Sequence, residues 1–150
     1  MSQSHAIFVT IDEPFLASVD ATWVERVARG VLQAEAVPPA ELGVLVTDDA
    51  RVRDLNREYA GEDEATDVLS FSLTEGEEFA SPDGILRLGE VILSFPTAER
   101  QAREVGRSTE AEIAQLLVHG ILHLLGYDHA EQEEERQMRA REQELLAARF

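Results

Sequence analysis

Hydrophobic positions along this chain change their period several times, and each change marks an element. Ile7, Val9 and Ile11 alternate with Phe8 and Thr10, which predicts a strand over 6–12. Trp23, Val27 and Val31 then recur on one helical face behind Asp20 or Thr22 as a cap, so a helix is expected to about Gln33. Pro38-Pro39 breaks the chain. Short apolar runs over 43–47, 67–73 and 88–94 read as further strands. A helix is expected from Asp48 or Asp49 to about Tyr59, and Pro96 suits the first turn of another that runs to about Val105. Residues 61–65 and 74–86 are polar and turn-rich and read as loops.

The strongest apolar run follows. Thr109 and Glu112 have the spacing of a capping box. Behind them Ile113, Leu116, Leu117, Ile121, Leu122, Leu124 and Leu125 cover nearly the whole circumference of a helix, and a helix apolar all round is a buried one. From Glu131 to Phe150 the pattern is a charged helix with a sparse apolar stripe at Met138, Leu145 and Leu146. No repeat or linker interrupts the 150 residues, so one domain over 1–150 is expected. The fold class is α+β: about four strands in a mixed sheet, packed with five or six helices, with the apolar helix buried at the centre.

Composition narrows the chemistry. There is no cysteine, hence neither disulfides nor a thiolate metal site. No apolar stretch is long enough to cross a membrane, and a cytoplasmic protein without a membrane partner is expected. The net charge is −17, and all 13 basic residues are arginine. Such a chain repels nucleic acid in bulk, so any RNA contact must use arginines gathered locally. Arg53 and Arg57 lie four apart, and Arg100, Arg103 and Arg107 share a face if their helix reaches Arg107. Glu58, Glu99 and Glu104 lie among them, as on an ordinary solvated face.

The histidines carry the most specific pattern. His119, His123 and His129 fall within eleven residues, on and just after the buried helix. The first two, at i and i+4, point the same way from a rigid element. Gly126 can end the helix in the left-handed conformation, so that the chain returns His129 towards them. Three imidazoles with an open fourth position are the arrangement of a catalytic zinc; nickel, cobalt or copper also accept three nitrogens. His5, by contrast, is expected in a frayed terminus.

The spacing matches the long metalloprotease pattern H-E-x-x-H-x-x-G-x-x-H, except that Gly120 stands where the glutamate base belongs. Peptide hydrolysis needs that base; phosphodiester cleavage is less demanding, because zinc both activates water and polarises the phosphoryl oxygen. Asp128 and Glu90 are candidate proton-transfer groups. Three functions are therefore distinguished: a zinc-dependent nuclease, a non-enzymatic zinc-containing binding protein, and a zinc hydrolase related to the metzincin peptidases.

The run from His119 to His129 closely resembles the signature of the YbeY family of metal-dependent endoribonucleases. Leu55-Asn56 with Tyr59, Gly61 and Asp63, then Thr66 to Phe71, and Leu88-Gly89-Glu90-Val91 are similar to that family's other blocks, in order and spacing. The resemblance implies one zinc per chain on His119, His123 and His129, and cleavage of single-stranded RNA. It also implies a part in maturing the 3′ end of 16S ribosomal RNA and in ribosome quality control. The implied partners are the small ribosomal subunit and its assembly factors, not DNA. The chain departs from the family pattern at Ala60, where arginine is usual, and at Ala65 and Ser72, where prolines are usual. Arg57, one helical turn before that arginine position, is the nearest substitute.

Overall fold

In the computed structural model, which describes residues 5–60, 68–72, 85–127 and 131–148, the elements follow the hydrophobic pattern closely. Strand β1 is His5–Ile11, helix α1 Ala21–Ala34, β2 Ala40–Thr47 and α2 Asp49–Ala60; β3 is Val68–Ser72, β4 Leu86–Ser94, α3 Phe95–Val105, α4 Thr109–Leu124 and α5 Gln132–Ala147. The sheet order is β1-β2-β4-β3. β1, β2 and β4 run parallel, and β3 pairs antiparallel to β4. This is the α+β class read from the sequence, with a mixed sheet. The loop read over 74–86 lies mostly outside the described residues, and Leu86 already belongs to β4.

Strand alternation sorts the helices onto two faces. Leu42, Val44, Val46, Val91 and Leu93 join α1 and α4 in the main core, with Val24, Val31, Leu117 and Ile121 fully buried. On the other face Leu69, Ile92, Leu45 and Phe71 pack against Val52 and Leu55 of α2. Between Glu41 and Leu42 the β2–β4 register slips by one residue, and Gly89, at φ +135°, absorbs the bulge.

Caps set the helix ends. Asp20, not Thr22, caps α1, its carboxylate accepting the Thr22 amide at 2.9 Å. The capping box expected at Thr109 and Glu112 does not form. Ser108 is the cap and accepts the Ala111 amide at 3.0 Å. With alanine at the third helical position there is no carboxylate to close a box. Glu112 turns inward, is buried, and accepts the Arg107 guanidinium, Nε at 2.8 Å. The face shared by Arg100, Arg103 and Arg107 is also cut short: α3 ends at Val105, and Gly106, at φ +74°, turns the chain before Arg107. His5 is not frayed. It opens β1 as a buried residue, its Nε2 lies 2.8 Å from the Val37 carbonyl oxygen, and its own carbonyl accepts Arg29.

Candidate metal centre

Helix α4 is the post of the site. It packs against α1, α3 and α5 and against β3 and β4, and nine of its sixteen residues are buried. Its open side is a stripe: Gln115 and His119 are half-buried and His123 is exposed, at successive i+4 steps. The pair read from the sequence thus shares one face of a rigid, otherwise buried helix. Among the described residues no group of three metal-ligating side chains comes together; His129 and Asp128 lie outside them.

The turn after the pair forms as the glycine demands. The Gly126 amide donates to the His123 carbonyl and the Tyr127 amide to the Leu122 carbonyl, both at 3.1 Å, with Gly126 at φ +103°. This crossed pair of bonds is the Schellman motif, and it reverses the chain two residues before His129. Tyr127 is tied down in turn. Its hydroxyl donates to both oxygens of Glu35 at 3.3 Å, and Arg141 of α5 donates to the same carboxylate from Nε at 2.7 Å. Burial and the Glu35 carboxylate push the Tyr127 phenol above its ordinary range.

Two relationships could not be read from local patterning. Glu142 of α5 is buried and its Oε1 lies 2.9 Å from Nδ1 of His119. The only sequence signal is its place between Met138 and Leu145 on the helix stripe. Gly120 faces the sheet: a Cβ there would lie 2.8 Å from Val91 Cγ1 and 3.2 Å from Ser70 Oγ. The position that holds the base in the protease pattern is therefore a packing contact. Beside His119 a groove of about 550 Å³ runs between α4, α5 and β3, with Val68, Leu116 and Met138 as its apolar walls and Gln115 and Gln143 among its polar ones.

The other candidates lie elsewhere. Glu90 alternates with Val91 and Leu93 and so projects from the α2 side of the sheet, opposite α4. Arg57 pairs with Asp54 at 3.0 Å on α2, and Arg53 is exposed on the same helix. Arg100 meets Thr97 and Asp49, and Arg103 meets Glu99. Arg57, Arg100 and Arg103 are thus each paired with a carboxylate. Ala60 is the last residue of α2, Ser72 the last of β3, and Ala65 lies outside the described residues.

Fold and site define an α+β protein whose buried central helix offers paired imidazoles to solvent. The family model described as "Endoribonuclease YbeY" matches residues 12–149. Curated relatives of that name include one from Pelotomaculum thermopropionicum, 50% identical over 81% of this chain and 80% of its own. Another, from Roseiflexus sp. (strain RS-1), is 42% identical over 99% and 96%. The solution structure of TM1509 from Thermotoga maritima superposes with a TM-score of 0.63 at 24% identity, over 93% of this chain and 86% of that one, and shows the same fold. This chain belongs to the endoribonuclease YbeY family. No helix among the described residues is long and apolar enough to cross a membrane.

Proposed function

We propose that this protein is a zinc-dependent endoribonuclease that cuts single-stranded RNA in maturing the 3′ end of 16S ribosomal RNA and in ribosome quality control, with the small subunit and its assembly factors as partners in the cytoplasm. His119, His123 and His129 hold one zinc in this reading. The observation that carries it is the imidazole pair on an open stripe of α4, inside a chain of the endoribonuclease YbeY family. The residues fit such an ion: the Glu142 carboxylate can only accept from Nδ1 of His119, which makes Nε2 the acceptor nitrogen of the neutral ring. Zinc at such a site lowers the pKa of water to about 7 and polarises a phosphoryl oxygen. The chain supplies a rigid helix for two ligands, a hydrogen-bonded turn ahead of the third, and a groove of about 550 Å³ beside His119.

The test is metal-replete protein with single-stranded RNA at low salt, with and without chelator, beside His119→Ala and His123→Ala. Zinc near one per chain and chelator-sensitive cutting support the reading. Stoichiometric zinc with intact RNA overturns the enzymatic half and leaves a zinc-containing assembly protein, a reading favoured by Ala60 at the usual arginine position. Turnover of peptides instead of RNA points to a peptidase, against which Gly120 stands.

A further inference from the structure

Helix α5 seats on the core through three buried residues, Met138, Glu142 and Leu145. Two are apolar. The third is a carboxylate, a costly group to bury unless it is partnered. Its partner is the ring of His119, Nδ1 to Oε1 at 2.9 Å, and the Glu142 side chain keeps only 10% of its exposure. Other charges around the groove are engaged: Arg107 holds Glu112, and Arg139 pairs with Glu135. A carboxylate has no proton to give, so the proton in this bond belongs to Nδ1, and in the neutral ring Nε2 is then the acceptor nitrogen. A free imidazole has no such bias towards Nδ1–H.

We propose that Glu142 is the positioning residue of the metal centre: it holds His119 in the Nδ1–H tautomer at one ring orientation, with Nε2 as the metal-facing nitrogen. The inference rests on the metal-centre reading above. It places part of the site's specification on α5, twenty-three residues along the chain from the imidazole it orients. Carboxylates behind metal-ligating histidines raise ligand basicity, and their loss costs about 10–100-fold in metal affinity.

Glu142→Leu separates this role from a packing role, because leucine suits the Met138–Leu145 stripe and preserves the seat of α5. Two readouts are needed: ring ¹⁵N shifts of His119 in metal-free protein at pH 8, and zinc affinity by competition with a chromophoric chelator. In the unaltered protein Nδ1 is expected to carry the proton. In Glu142→Leu the ring is expected to move to the Nε2–H form and zinc affinity to fall about 10–100-fold, with melting temperature held or raised. Glu142→Gln, whose amide oxygen still accepts from Nδ1, should keep the tautomer and most of the affinity. Wild-type zinc affinity in Glu142→Leu, or Nε2–H in the unaltered protein, overturns the proposal. The second result decides it even if the leucine variant fails to fold. Unaltered protein that takes up no zinc overturns the metal-centre reading instead, while the tautomer measurement still reports on Glu142.

Discussion

Ser70 of β3 donates its hydroxyl to the main-chain oxygen of Gly120 on α4 at 3.0 Å, where helix and sheet approach too closely for a side chain. Val68 and Val91 complete that contact, at 3.2 and 2.8 Å from where a Cβ would stand. Gly120→Ala is therefore expected to destabilise by about 1–3 kcal/mol through overpacking. Ser70→Ala should cost about 1 kcal/mol from the lost hydrogen bond. Urea midpoints at constant m-value measure both. Gly120→Glu should not create a peptidase, because its side chain is aimed at the sheet; peptide turnover by that variant would refute this account.

The two imidazoles of α4 separate metal loss from loss of fold. His123 is exposed, so His123→Ala should shift stability by no more than about 0.5 kcal/mol while depleting zinc. His119→Ala strips the buried Glu142 of its partner and should cost about 1–3 kcal/mol as well. Equal melting temperatures for the two variants would contradict this difference.

Asp49 gives the fold an acid-sensitive joint. Burial pushes its carboxyl up, but hydrogen bonds from Ser94 and Thr97 and the Arg100 guanidinium outweigh that and hold it below the usual carboxylate range. A carboxyl lowered in the folded state contributes stability above its unfolded pKa of about 3.9, and loses it as pH falls through the folded value. Asp49→Asn should therefore lose stability at neutral pH and show a shallower fall below about pH 4. Parallel acid titrations of the two proteins would expose a slope that does not change.

Arg141, Glu35 and Tyr127 tie α5, the end of α1 and the turn after α4 into one knot. Removing Arg141 leaves Glu35, 14% exposed, without its guanidinium. Arg141→Ala is expected to cost about 1–3 kcal/mol, and Tyr127→Phe about 1 kcal/mol or less. A double-mutant cycle should return a coupling of at least about 0.5 kcal/mol; additive effects would show that the three act separately.

Elements whose evidence is local were legible in the sequence. Alternation at Ile7–Ile11, the all-round apolar helix and the i, i+4 histidines each reside in one short window and stand where the pattern put them, and of the two caps offered for α1 the structure takes Asp20. Bounds shifted where neighbours decide: β2 begins at Ala40 rather than Gly43, because pairing with β1 and β4 on both sides extends it. The spacing of Thr109 and Glu112 pointed to a cap one residue too late: Ser108 caps α4, and Glu112 turns inward to Arg107. The relationships that shape the centre join distant parts of the chain. His119 meets Glu142 twenty-three residues on, and Gly120 meets Ser70 fifty residues back. No spacing rule reaches that far.

The burial of α4 has a consequence for supply rather than for chemistry. Val118, Ile121 and Leu122 are completely enclosed by protein, so the helix owes its order to the core and not to any ion. Small zinc domains that fold only around their metal are lost when it is withdrawn. Here a chelator should strip the centre and leave the scaffold standing, ready to be reloaded. Under the proposed zinc reading, occupancy is then a variable that tracks the free metal around the protein while the fold persists.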